Sequence, residues 1–141
     1  MIQQASEPAA SPFPRRESFV DYRGIAREFI IDFARDDDQR FLNAVEAVET
    51  DGRYEFSAMS DSDPYLALGK LRQIIRRELS TRYLHGEGRS LELAHDELKG
   101  RIGYKGVAVD GQFVSFDDLL RLLQTYEGFH FHLRITDPTD L

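Results

Sequence analysis

The chain lacks cysteine altogether, which excludes disulfide bonds and every catalytic or metal site that depends on a thiolate. It also lacks a long hydrophobic run. No window is long enough to cross a membrane, and the first eighteen residues hold no apolar stretch typical of a signal peptide. A phosphate-binding loop with its lysine and a dinucleotide-binding fingerprint are missing as well. We therefore expect a cytoplasmic protein with no membrane partner and no cofactor.

The overall composition is that of an ordinary globular protein. The chain has 141 residues, of which 41% are hydrophobic and 30% charged, so it can bury a core without covalent staples. Its net charge of −7 disfavours nonspecific binding to nucleic acid or to anionic lipid. Residues 63–90 form a basic segment between the acidic segments 1–62 and 91–141.

The pattern of apolar residues predicts three helices in the N-terminal half, over residues 18–34, 38–50 and 64–84. In the first of these segments, large apolar side chains recur at every third or fourth position, as on one face of an amphipathic helix. These side chains are Phe19, Tyr22, Ile25, Phe29 and Phe33. Asp63 followed by Pro64 is a helix-start signal for the third segment, since aspartate caps the free N–H groups and proline fits the first turn.

The C-terminal half shows the shorter period of strands. Alternating residues between 91 and 109 predict short strands, and Asp110-Gly111 predicts a tight β-hairpin turn. Ser115 is placed to cap a helix that ends near Gly128. The alternation of Phe129, Phe131, Leu133 and Ile135 predicts a final strand.

These patterns together predict an α+β fold. About three N-terminal helices would pack on a small, mostly antiparallel sheet that ends in a β-hairpin–helix–strand unit. We expect a flexible tail over residues 1–17, a helical part over 18–88 and a ββαβ-like part over 89–137. The two parts are expected to form one integrated globular domain.

Three short strings in the C-terminal third carry a resemblance to a known family. They are Asp96 to Ile102, Val109-Asp110-Gly111, and Thr125 to Phe129 with Phe131. This part of the chain resembles the tail of an uncharacterised domain found in bacterial proteins. The resemblance implies a bacterial origin and a ββαβ-like module, and it assigns no functional residue.

The third predicted helix carries a basic face that could bind an anionic partner. Its members lie away from the apolar stripe: Lys70, Arg72, Arg76 and Arg77. Such a face could contact the phosphates of a nucleic acid or an acidic protein surface. The alternative is an ordinary solvated helix face, partly neutralised by acidic residues elsewhere in the chain.

No metal site is assigned, but three histidines are candidate metal ligands. His130 and His132 lie two residues apart on the predicted last strand, so their imidazoles would share one face, and His95 could supply a third ligand. The alternative is that both strand histidines simply face solvent, opposite an apolar core face. The sequence offers no nucleophile in a recognisable catalytic pattern.

We therefore interpret the chain as a noncatalytic module that binds a protein partner or assembles with itself, and not as an enzyme. No catalytic residue is assigned. One alternative is a nucleic-acid-associated regulator that uses the basic helix over residues 70–77. The other is a metal-dependent enzyme that uses His130 and His132.

Overall fold

The computed structural model describes residues 12–61 and 63–140, and within them it contains two α-helices and three antiparallel sheets. The first sheet is a four-stranded meander in which each strand pairs with the next one along the chain. Its strands are β1 (Arg15–Val20), β2 (Ala26–Asp36), β3 (Gln39–Glu46) and β4 (Glu55–Met59). The helix α1 (Pro64–Leu79) follows directly and packs on one face of this sheet.

The predicted architecture with about three N-terminal helices is wrong, because residues 18–34 and 38–50 form strands and turns. The chain still combines helices with sheets, but it is mostly β. Phe29 and Ile31 of β2 are fully buried, and so are Leu42 and Ala44 of β3. This spacing of two is the period of a strand with one face on the core. The predicted helical part over 18–88 therefore contains one α-helix only.

The third predicted helix is confirmed as α1, although it ends at Leu79 and not near residue 84. The Asp63 side chain accepts the backbone N–H of Tyr65, and Pro64 occupies the first turn as predicted. The stripe of α1 is buried against the sheet and forms the first core with it. The helical members of that core include Leu68, Leu71, Ile75 and Leu79.

A second unit with its own core begins after α1. The short strands β5 (Leu84–His85) and β6 (Glu92–Leu93) pair with each other, and a three-stranded sheet and one helix follow. The elements after β6 are β7 (Arg101–Gly103), β8 (Gly106–Val109), β9 (Gln112–Ser115) and α2 (Phe116–Gln124). The second core groups buried residues of this unit alone, from Tyr83 to Leu122.

The predicted hairpin and helix of this unit are confirmed, and its predicted last strand is not. Asp110 and Gly111 both have positive φ, 56° and 77°, as a type I′ turn requires. The Ser115 hydroxyl accepts the N–H of Asp118 at the start of α2. Residues 129–135 pair with no strand of the described residues. A single 3-10 turn (Pro138–Asp140) closes the described chain and lies against β4.

Part of the predicted tail belongs to the first sheet and to its core. Residues 1–11 of that tail lie outside the described residues, whereas Arg15 to Glu17 belong to β1 and Phe13 is buried in the first core. Phe13 contacts the ring of Phe33 edge-on, with ring centroids 5.0 Å apart. The strand β1 therefore begins three residues before the predicted first element.

The two units meet where the loop before β4 lies against the β8–β9 hairpin. A Cβ atom on Gly52 would lie 2.3 Å from the backbone of Gln112 and Phe113. We expect Gly52→Ala to push the hairpin away and to lower the free energy of unfolding by about 1–3 kcal/mol, as overpacking does. Urea unfolding measures this change.

The matched control is Gly69→Ala on the exposed face of α1, where an added Cβ meets no atom within 4 Å. Alanine has a higher helix propensity than glycine, so the free energy of unfolding of this variant should rise by about 0.5–1 kcal/mol. If both substitutions change the free energy of unfolding equally, the close contact between the loop and the hairpin does not contribute to stability.

Candidate functional site

One side of α2 is anchored to the second unit. Leu122 is buried in the second core, and Leu119 and Tyr126 pack beside it. The hydroxyl of Tyr126 accepts the backbone N–H of Leu93 at 3.1 Å, which ties the end of the helix to β6. The helix is therefore held in a fixed position on the small sheet.

The neighbouring side of α2 carries an apolar stripe that nothing in the described chain covers. Its members are Phe116, Leu120 and Leu123, spaced by four and three residues, so they lie along one face of the helix. Between 44 and 63% of each of these residues is exposed. A helix that is apolar over so much of its circumference is normally covered by another element.

The segment after α2 is still more exposed. Its four large apolar residues, Phe129, Phe131, Leu133 and Ile135, are between 72 and 88% exposed. Within the described chain, no backbone hydrogen bond joins residues 130–136 to another element. We refer to this segment together with the α2 stripe as the C-terminal apolar surface. So many exposed large apolar side chains on a soluble protein are typical of an interaction site.

The predicted basic face of α1 is partly occupied by contacts inside the chain. Arg72 forms a two-pronged ion pair with Glu17 of β1, with N···O distances of 2.9 and 2.6 Å. The hydrogen bond from Arg72 lowers the pKa of the Glu17 carboxyl below its usual range. Arg76 lies over the ring of Phe19.

The other two basic residues of that face differ from each other. Arg77 bonds to the neighbouring Glu78 at 2.9 Å, whereas Lys70 is exposed and forms no ion pair with the described residues. Binding of an anionic partner by Lys70, Arg72, Arg76 and Arg77 stays a prediction. Such a partner would have to compete with Glu17 for Arg72.

The three predicted histidines do not form a cluster. His130 and His132 lie in the exposed segment after α2, whereas His95 lies edge-on to the ring of Tyr83, with centroids 6.3 Å apart. Within residues 12–61 and 63–140, no group of three or more His, Asp or Glu side chains is arranged to hold a metal ion.

His95 instead lines an open cleft of about 360 Å³ together with Tyr83, Asp96 and Glu97. Burial raises the pKa of the Tyr83 hydroxyl to about 12. At neutral pH this phenol keeps its proton, so it cannot act as a base toward a molecule in the cleft.

Sequence reasoning missed a buried ionic cluster at one end of the first sheet. The Arg27 guanidinium bonds to Asp21 and to Glu46, with each N···O distance at 2.9 Å. Burial alone would raise the pKa of Asp21, but hydrogen bonds from Arg27 and from the N–H groups of Ile25 and Arg23 lower it below its usual range.

The same cluster also contacts the ring of Tyr54, which directly precedes β4. Arg27 lies over the ring of Tyr54 at 5.2 Å, and burial raises the pKa of that phenol. Arg27 and backbone N–H groups satisfy both carboxylates, so this cluster connects β2 to β3 and to the turn after β1 and offers no free acceptor. Only the strand register brings Arg27 and Glu46 to one face, which is why no sequence motif marks them.

Two family models match the chain. Residues 11–80 match a domain of unknown function, DUF7686, and residues 82–140 match another domain of unknown function, DUF7713. The predicted resemblance to an uncharacterised domain is thereby confirmed, whereas a bacterial origin stays a prediction. None of the curated proteins and none of the solved structures matches the chain.

The boundary between the two matched segments agrees with the packing. The first core ends at Leu79 and the second begins at Tyr83, so each matched segment builds its own core. The C-terminal apolar surface lies wholly within the DUF7713 segment. Neither described helix is long and apolar enough to span a membrane.

Proposed function

We propose that this protein is a noncatalytic binding module that docks onto another protein surface through its C-terminal apolar surface. The observation that carries the proposal is the exposure of Phe129, Phe131, Leu133 and Ile135, each at least 72% exposed. Isolated exposed apolar residues are common, but four in one short segment beside an apolar helix stripe are not.

The size of the surface supports docking of a protein and not of a small ligand. The seven apolar residues of the stripe and the segment expose on the order of 900 Å² together, close to the roughly 800 Å² that each partner gives to a standard protein interface. None of these seven residues lines the cleft beside His95, whereas a small ligand is normally enclosed in a cavity of that kind.

The proposal is tested by placing charge on the apolar side of the segment. Phe131→Asp combined with Leu133→Asp should abolish docking, because each aspartate would have to be buried without a partner. The chain is immobilised and exposed both to itself and to an extract of the cells that encode it. We expect the amount of retained protein to fall at least about tenfold.

The matched control is His130→Asp combined with His132→Asp, which adds the same charge to the same segment and keeps the apolar side chains. This control should retain the partner as the native chain does. Equal retention by all three proteins, or no retained protein with the native chain, would rule out the proposed function. Circular dichroism verifies that each variant is folded.

A further inference from the structure

We infer that the partner on the C-terminal apolar surface is a second copy of this chain. In this arrangement, which rests on the proposed function, the segment 129–135 of each copy lies on the α2 stripe of the other. The inference names the partner and the contact, neither of which follows from exposure alone.

Within the described residues, each chain offers two exposed apolar elements, the stripe on α2 and a segment that belongs to no helix or strand. In an extended conformation, the apolar side chains of the segment can pack along the helix stripe, in the shallow grooves between rows of helix side chains. When both elements are present on one molecule, a two-fold axis lets two copies satisfy both contacts at once. A closed dimer would then leave neither element exposed.

The segment is long enough for this contact. Residues 129–135 in extended conformation span about 23 Å at the usual rise of a strand. The helix α2 has nine residues, which span about 14 Å at the rise of an α-helix. One extended segment can therefore cover the whole stripe from Phe116 to Leu123.

The segment is held away from the stripe of its own chain at both ends. At its start, the N–H of Phe129 bonds to the carbonyl of Tyr126, and the two rings are in contact at 5.6 Å on the anchored side of α2. At its far end, the turn Pro138–Asp140 lies against β4 of the first sheet. The segment of the same chain is thus kept off the stripe, and in the inferred arrangement the occupant of the stripe comes from another molecule.

Charge also favours a second copy. Arg134 is the only Lys, Arg, Asp or Glu of the segment 129–135, in a chain whose net charge is −7. The exposed acidic residues Asp117 and Glu127 flank the α2 stripe. Arg121 on the same helix edge is already paired with Asp118. Arg134 of one copy can therefore pair with Asp117 or Glu127 of the other, and the control substitutions at His130 and His132 leave this contact in place.

The absence of cysteine allows a direct test, since any introduced thiol is the sole one in its chain. A tagged Phe131→Cys chain is mixed with an untagged Leu120→Cys chain and treated with a short bismaleimide. We expect cross-linked heterodimers, at least about tenfold more than from Phe131→Cys mixed with Lys70→Cys on α1. Sedimentation of the native chain should give twice the chain mass of 16.2 kDa.

The Phe131→Asp and Leu133→Asp variant separates the outcomes. If the inference holds, this variant sediments as a single chain, whereas the variant with aspartate at positions 130 and 132 remains a dimer. A cross-link formed within one chain that carries both cysteines would overturn the inference. A native dimer that Phe131→Asp combined with Leu133→Asp leaves intact would overturn it as well.

A native chain that sediments as a monomer also overturns the inference, but it leaves the proposed function standing if the same surface retains a different protein from the extract. A native chain that is monomeric and retains no protein refutes both. The native chain and its variants therefore distinguish failure of the dimer inference from failure of the proposed function.

Discussion

Replacing Arg27 with methionine should lower the free energy of unfolding by about 3–5 kcal/mol at neutral pH, because it leaves two buried carboxylates without their cation. The guanidinium bonds to Asp21 Oδ2 and to Glu46 Oε2 at 2.9 Å each. The side chain of Asp21 is completely buried, and that of Glu46 almost so. Methionine retains most of the apolar volume of arginine, so the loss is mainly electrostatic.

The matched control is Arg16→Met at the surface of the same sheet. Arg16 pairs with Glu28, and more than half of each side chain is exposed. An exposed pair of this kind contributes about 0–1 kcal/mol, so this variant should unfold close to the native protein. Urea unfolding of both variants at neutral pH checks the difference. Similar losses would show that burial of the Asp21–Arg27–Glu46 cluster is not what stabilises the sheet end.

The pH dependence of the Arg27→Met variant provides a second readout. In the native protein the pKa of Asp21 is lowered, so its contribution to stability is present above about pH 4 and is lost as the pH falls through the lowered value. In the variant, burial without a cation favours the protonated carboxyl. The difference in stability between the two proteins should therefore narrow on acidification, and a constant difference would contradict this account.

Features fixed by a few neighbouring residues could be predicted from the sequence. The Asp63-Pro64 helix start, the Asp110-Gly111 turn and the Ser115 cap all depend on backbone geometry that one or two side chains determine. Each of these predictions is confirmed because no distant contact competes with the local preference.

The strands β1 to β3 could not be recognised, because their apolar spacing fits two periods. Phe29 and Phe33 are four residues apart, which is about one turn of a helix and also two steps along one face of a strand. What decides between them is pairing of β2 with β1 and β3. A local signal was nevertheless present, since Gly24 lies inside the predicted helix. In the structure it has a φ of 81° and lies in the turn between β1 and β2.

The error at residues 129–135 has a different cause. Alternation shows that one side of an extended segment is apolar, but it does not show which strand will pair with it. Here the described chain supplies no pairing strand. The pattern that predicted a core strand is thus the same pattern that marks the C-terminal apolar surface, and only the fold separates the two interpretations.

Asp110→Ala is expected to lower the free energy of unfolding by about 3 kcal/mol or more, since it leaves buried N–H donors unsatisfied and places alanine at positive φ. The Asp110 carboxylate accepts the N–H of Tyr83 at 3.0 Å and that of Leu84 at 2.8 Å. These bonds tie the β8–β9 hairpin to the start of the second unit. Its own φ of 56° is one that aspartate and asparagine tolerate better than alanine.

Asp110→Asn separates these contributions, because asparagine keeps an acceptor oxygen and the left-handed conformation. We expect it to cost about 1 kcal/mol or less at neutral pH. Burial raises the pKa of Asp110, while the N–H groups of Tyr83 and Leu84 act against that shift. The contribution of Asp110 to the free energy of unfolding is therefore largest in acid and declines as the pH rises through its raised pKa. The Asp110→Asn variant should lack this pH dependence. Thermal unfolding between pH 4 and 7 measures both effects. Equal losses for alanine and asparagine would show that an acceptor oxygen and a tolerated left-handed φ do not account for the contribution of Asp110.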